Sequence, residues 1–466
     1  MGALVGGTAV GQLATILAAP ILTRIYSPED FGMVAVFGSL LALISVISSL
    51  RYEHAITLPE DDSEAANIAV LSLILVCLST LLSGLILWLF GQSIADILGV
   101  PELVFYFWLL PFGVLLGGAY QVFNYWSVRT KRFSSIAATK VHQALATLTI
   151  QLAAYKLGGI ALLYARVVGE SVGTTKLGWS ALTNSDFRKV NWQGIVKGAR
   201  RYRRFPYFST WEGFLNSASV ELIPIVFTTF FSPSAVGLFS LAHRVITLPM
   251  GLIGNSISQV FTSVAPSKKR NGSISELVLV LHKALAYFAL PPLMMLAIYG
   301  QNLFEYIFSS EWRVSGEFAQ WMSLWLYFQF ISSPLSSVFS VYELQKEGLF
   351  WQILLLFLRM VAIFAGVAIG DILNTVILFS LASSVYYILF TIRIATMTGT
   401  CIADFICVTF KGFFAAVCCN VPLIFAIVFS DSDSNHHFVG FALSVILITF
   451  WIVYIIRKNL NHQILR

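Results

Sequence analysis

Fourteen stretches of this chain stay apolar over about 20 residues, the length that lets a helix cross the hydrocarbon core of a bilayer. They fall at 3–25, 32–57, 65–90, 102–126, 134–156, 159–182, 209–231, 235–264, 277–300, 317–342, 350–369, 372–396, 406–429 and 438–456. Inside lipid such segments satisfy their backbone only as helices or as a closed barrel. The period-2 alternation of a barrel is absent. The fold class is therefore all-α integral membrane, with about 14 transmembrane helices. A mean hydropathy of +0.80, with only 11% of residues charged, excludes a soluble globular protein.

An even number of spans puts both termini on one side. The loops on that side carry eighteen Lys and Arg, seven of them in 183–208, and the opposite loops carry only Arg313. Such an asymmetry places both termini in the cytoplasm. The outer connections are acidic or polar, as in Asp431-Ser432-Asp433. The first apolar run is too long for a cleavable signal peptide, and no Lys or Arg precedes it, as if the true start lay upstream. The stretch 183–208 contains Arg200, Arg201, Arg203 and Arg204, with Trp192, Ile195 and Val196 as an apolar side. It reads as a basic cytoplasmic linker lying along the inner leaflet. Nucleic-acid binding is the weaker reading of a basic run in a chain of many spans.

The chain repeats itself. Pro20 is followed by Ser27-Pro28-Glu29-Asp30-Phe31-Gly32, and Pro224 by Ser232-Pro233-Ser234-Ala235-Val236-Gly237. Further on, Gly91-Gln92 with Asp96 answers Gly300-Gln301 with Glu305, each pair expected in the outer turn after the third helix of a half. Proline sets φ at the start of the next helix, and glycine permits close packing. Each half starts in the cytoplasm, so the repeats are parallel, the arrangement that puts a substrate site between two lobes. The expected domains are residues 1–182 (helices 1–6), the linker 183–208, 209–397 (helices 7–12) and 398–466. The first and third are six-helix lobes around a central cavity, and the last holds helices 13 and 14 with a cytoplasmic tail.

Charges survive within this apolar background. Arg24, Arg51, Arg166, Glu170, Glu212, Glu221, Arg244 and Arg359 fall in or at the edges of the spans. A charge at the centre of a spanning helix costs about 2.5–3.5 kcal/mol on insertion scales, so such groups face a bundle interior or a wet cavity. Several arginines there point to handling of an anion. Snorkelling to the headgroups or structural ion pairing is the competing use. Arg166 and Glu170, four apart on one helix, are expected to pair with each other.

The run Pro20-Ile21-Leu22-Thr23-Arg24-Ile25-Tyr26 leading into Ser27–Gly32, with Arg51-Tyr52-Glu53-His54, Ile56 and Leu58-Pro59, resembles the opening of the bacterial Wzx-type polysaccharide flippases. These belong to the multidrug/oligosaccharidyl-lipid/polysaccharide exporter superfamily. The resemblance implies movement of undecaprenyl-pyrophosphate-linked oligosaccharide repeat units from the cytoplasmic to the periplasmic leaflet by alternating access, for O-antigen, capsule or exopolysaccharide synthesis. It implies no catalysis and no nucleotide. Related lipid II flippases keep arginines in the same three helices as Arg24, Arg51 and Arg244, where guanidinium forks suit pyrophosphate oxygens. Arg359 is a fourth candidate for the same anion.

Glu212 and Asn216, four apart on helix 7, are similar to an acid and Asn pair at the sodium site of the lipid II flippases. Glu221 is the alternative, a proton site. A coupling cation, sodium or proton, is the one small ligand these residues suggest, and no other cofactor is expected. Glycan contacts would come from Tyr120, Gln121, Asn124, Tyr125, Trp325 and Gln329. The expected partners are the lipid-linked oligosaccharide and membrane lipids, with a polysaccharide polymerase and a chain-length regulator downstream, and the transport unit is expected to be a monomer. Two rivals stand further off. A cation-coupled multidrug antiporter of the same superfamily would favour carboxylates over arginines in its spans. A polymerase or membrane glycosyltransferase would need a large outer loop or a catalytic cluster, and the sequence has neither.

Overall fold

The computed structural model describes residues 2–342, 344–429 and 434–462, so the Asp431-Ser432-Asp433 connection lies outside the described residues. Two compact units divide the chain, Met1–Leu241 and Ala242–Arg466. The first holds α1 (Gly2–Leu22), α2 (Pro28–Ser48), α3 (Asp62–Ile97), α4 (Leu109–Arg129), α5 (Phe133–Ala153), α6 (Gly159–Leu182), α7 (Trp192–Arg201), α8 (Thr210–Phe230) and the start of α9 (Pro233–Arg270). The second holds the rest of α9, α10 (Ile274–Phe308), α11 (Arg313–Ser332), α12 (Val338–Val341), α13 (Gln345–Ile369), α14 (Ile372–Thr398), α15 (Ile402–Phe429) and α16 (Ser434–His462). Among the described residues no strand occurs, and all these helices except α7 and α12 have twenty residues or more, fourteen in all. Nine helices are both long and apolar enough to cross a membrane, again among the described residues. Large apolar side chains such as Leu81, Trp88 and Phe90 on α3 stand exposed, a surface suited to lipid rather than water. The protein is an all-helical, multi-pass membrane protein.

Local chemistry fixes the start of α2. Ser27 caps the helix, its side chain accepting from Asp30 N at 3.3 Å while Ser27 N donates to Asp30 Oδ2 at 3.0 Å, and Pro28 opens the first turn. Such a capping box stabilises a helix start by about 1 kcal/mol. Asp30 Oδ1 also accepts from Gly159 N at 2.6 Å, which ties the start of α6 to that of α2. At the matching position of the repeat, Ser232 Oγ accepts from Ala235 N at 3.2 Å where Pro233 opens α9.

The two matching turns meet. A Cβ on Gly32 would stand 1.8 Å from the Pro233 carbonyl oxygen, and one on Gly237 would stand 1.8 Å from the Pro28 carbonyl oxygen. Helices in lipid associate through close backbone packing at small residues, and here each half of the repeat supplies the glycine that the other half's proline carbonyl requires. This contact draws α8 and the start of α9 onto α2. It explains why compact packing divides inside α9, later than the 183–208 linker.

The second repeat match differs from expectation. Gly91–Asp96 and Gly300–Glu305 lie in the last turns of α3 and α10, not in loops. Nothing in either stretch breaks a helix, so the two run on to 36 and 35 residues and end at Gly99 (φ 66°) and Ser309 (φ 114°). The linker also has structure. In α7, Ile195 is buried with Ile68 of α3, Tyr52 donates to the Ala199 carbonyl at 2.9 Å, and Asn191 N donates to Asn67 Oδ1 at 3.1 Å. Only Trp192 of the expected apolar side remains widely exposed, because the first unit itself covers Ile195.

Candidate functional site

α2 ends at Ser48, short of the expected residue 57, and this moves Arg51 out of a helix into a corner. The chain passes through Leu50 and Arg51 at φ 50° and 61°, then enters a 3-10 helix over Tyr52–Thr57. Left-handed backbone costs roughly 1–2 kcal/mol for an L-residue that is not glycine. It persists where the surroundings impose it, and such places concentrate at functional sites. Arg129 at the end of α4 holds the chain that follows this corner. Its guanidinium donates to the carbonyls of Ile56 (3.1 Å), Pro59 (2.7 Å) and Glu60 (3.1 Å) and pairs with Asp62 Oδ1 at 2.8 Å.

Within the corner, Arg51 NH1 lies 2.6 Å from His54 Nε2, and the Tyr125 hydroxyl lies 2.9 Å from His54 Nδ1. Guanidinium can only donate, so Nε2 accepts, and Nδ1 carries the hydrogen toward Tyr125. Burial, then the Arg51 charge, lowers His54 to about 4, which keeps the ring neutral in that tautomer. Glu53 is buried beside it, hydrogen-bonded by Ser49 Oγ, and burial pushes its carboxyl above the ordinary range despite that bond and the Arg51 charge. The other face of the guanidinium rests on α8, where a Cβ on Gly213 would stand 2.1 Å from Arg51 NH2. Arg51 Nε is buried and has no hydrogen-bond partner. The corner therefore holds an oriented guanidinium fork whose Nε has no hydrogen-bond partner.

The other expected residues of the first unit are dispersed. Arg24 lies exposed in the turn after α1, where its backbone N donates to the Ile21 carbonyl at 3.2 Å. Glu212 and Asn216 share one face of α8, and both are exposed. Glu221, further along α8, accepts from Ser39 Oγ of α2 at 2.9 Å and so links two helices. Tyr125 serves His54 before it can serve a glycan.

In the second unit Arg244 is exposed on α9 beside His243, whose ring stacks on Trp325 at 6.0 Å. Arg359 is 2% exposed. Its guanidinium lies 5.1 Å from the ring centroids of both Trp325 and Phe379, and Nε donates to Ser383 Oγ at 3.3 Å. A desolvated cation–π contact of this kind is worth about 2 kcal/mol. Arg359 and Trp325 are both buried in this arrangement. A separate apolar cleft of about 960 Å³ opens among α10, α15 and α16, lined by Tyr287, Phe410, Phe414, Phe450 and Trp451, with Lys411 as its charge. The helices beyond the repeat thus form a wall suited to an acyl or prenyl chain.

The family described as Polysaccharide biosynthesis protein matches residues 21–317, more than half of the chain. Teichuronic acid biosynthesis protein TuaB of Bacillus subtilis (strain 168) is 22% identical over 195 residues, a match that covers 42% of this chain and 40% of that relative. Among solved structures, the lipid II flippase MurJ in an inward closed conformation aligns over 98% of this chain and 99% of its own, with a TM-score of 0.74 at 13% identity. An inward-facing multidrug resistance MATE family transporter aligns over 85% and 94%, with a TM-score of 0.62 at 17% identity. At such identities the two structures show a shared fold.

Proposed function

The chain belongs to the polysaccharide biosynthesis protein family, and from that premise we propose that it carries undecaprenyl-pyrophosphate-linked oligosaccharide repeat units across the bacterial inner membrane. The observation that carries this reading is Arg51. An always-charged guanidinium, held in a left-handed corner and retaining an unpartnered donor, is suited to phosphate oxygens. The fold shared with a lipid II flippase and the biosynthetic role named for the Bacillus relative support the same substrate class.

In this reading the repeat halves, helices 1–6 and 7–12, alternate access to a cavity between them, with both termini in the cytoplasm. Arg24 and Arg244 join Arg51 on the pyrophosphate, and the apolar cleft among α10, α15 and α16 takes the prenyl chain. Arg359 joins only if its aromatic cover opens. Glu212 with Asn216, or Glu221, is proposed as the site of a coupling cation. A polymerase and a chain-length regulator receive the product.

Deletion of the gene followed by lipid extraction tests the reading. A complete lipid-linked repeat unit should accumulate on the cytoplasmic leaflet. Accumulation of flipped, unpolymerised units would identify a polymerase instead, and unchanged lipids with altered drug resistance would identify a multidrug antiporter.

A further inference from the structure

Glu170 on α6 places one carboxyl oxygen, Oε2, in the interior of the first unit without a partner. Its Oε2 is shielded from solvent and accepts no hydrogen bond, and no ion pair joins it to the Arg166 that the sequence offers four residues earlier. The reason lies in where the cations go. The Arg166 guanidinium rests on α2, where a Cβ on Gly38 would meet its Cζ at 3.3 Å. Lys140 of α5 stands over the Tyr120 ring at 4.7 Å. These are the two charges that face Glu170. From α4 it faces Gly117, where a Cβ would stand 2.8 Å from Oε2, and the uncharged Ser45 hydroxyl of α2 lies 3.9 Å from that same point. The buried Tyr120 hydroxyl on α4 is also without a partner.

An unpaired buried charge is strongly unfavourable, so a carboxyl that keeps this place needs a ligand. A metal ion needs several converging oxygens. The charges facing Glu170 are themselves cations, and the described residues offer no group of three His, Cys, Asp or Glu to hold a metal. A proton needs no such shell, and the close fit against Gly117 leaves it room. We propose that Glu170 is a proton-binding site of the first unit, neutral in the arrangement described here and ionised in a second one, where Arg166 or Lys140 turns onto it. The step is the association of one proton with one carboxylate oxygen, and its release to water when a cation takes its place. The use of this proton in transport rests on the function proposed above. Its binding does not.

Infrared spectroscopy of the protein in lipid nanodiscs tests the site. At neutral pH a protonated-carboxyl band should be present, lost in Glu170→Gln and kept in Glu212→Gln and Glu221→Gln. Lys140→Ala and Arg166→Ala leave the carboxyl in place and should carry the band to higher pH, since each removes a charge that favours the carboxylate. In proteoliposomes, Glu170→Gln should still equilibrate lipid-linked oligosaccharide but lose its response to a pH gradient. A band untouched by Glu170→Gln, or unmoved by both cation variants, overturns the proposal. A band that behaves as expected in a protein that moves no oligosaccharide keeps the proton site and overturns the transport reading instead.

Discussion

At its Pro28 end α2 begins with a capping box and a glycine pressed on a proline carbonyl. At its Ser48 end the chain leaves through two left-handed residues into a cluster where a buried guanidinium nitrogen has no partner. The first end satisfies its polar groups and allows almost no change of volume. The second holds strain and an unused donor, supported from outside by Arg129. One helix thus joins a tight contact between repeat halves to the corner proposed above as the anion site. Substitutions at the first end should act on stability, and those at the second on transport.

The largest effect should come from filling the contact. Gly32→Val or Gly237→Val places atoms inside a carbonyl's van der Waals radius and should cost about 3 kcal/mol, read as a lower thermal midpoint in detergent. A wild-type midpoint in both variants would remove the first half of the comparison. Next is Gly213→Ala, whose Cβ displaces the far end of the Arg51 side chain rather than backbone. Export should fall roughly tenfold, equivalent to about 1.4 kcal/mol, with little change in midpoint. A large loss of stability there would make the corner structural. Smaller again is Tyr125→Phe, which deletes one hydrogen bond to His54 worth about 1 kcal/mol and should lower export severalfold.

The smallest effect is a pH dependence. His54 is lowered from 6.5 to about 4, so its contribution to stability is complete above its ordinary value and is lost as the pH falls through that interval. A magnetic-resonance titration of labelled His54 should show a midpoint near about 4. A midpoint at the ordinary value would mean that the ring is neither buried nor held by Arg51.

The helices were legible because lipid demands about 20 apolar residues per span, and Ser27-Pro28 with Asp30 announces a cap. Helix ends were less legible where α3, α9 and α10 run on past the apolar stretch. The break after Ser48 carried no glycine or proline signal, since Leu50 and Arg51 take a left-handed conformation that neither prefers. The arginines were found by type, but their state was not. Arg359 is enclosed because Trp325 and Phe379 come from other helices, and Arg51 meets Gly213 across a long stretch of chain. The Arg166 and Glu170 spacing suggested an ion pair that the described residues do not show, the Arg166 guanidinium lying against Gly38 of α2 instead.

The proposed function requires Arg51 to bind an anion. Proteoliposomes loaded with undecaprenyl-pyrophosphate-linked oligosaccharide on one leaflet, probed with an impermeant glycosidase on the other, measure its transfer directly. The wild-type protein should expose the sugar, Arg51→Lys should do so at a reduced rate because a point charge lacks the bidentate fork, and Arg51→Ala should leave it protected at equal inserted protein. Transfer at the wild-type rate by Arg51→Ala would contradict the account.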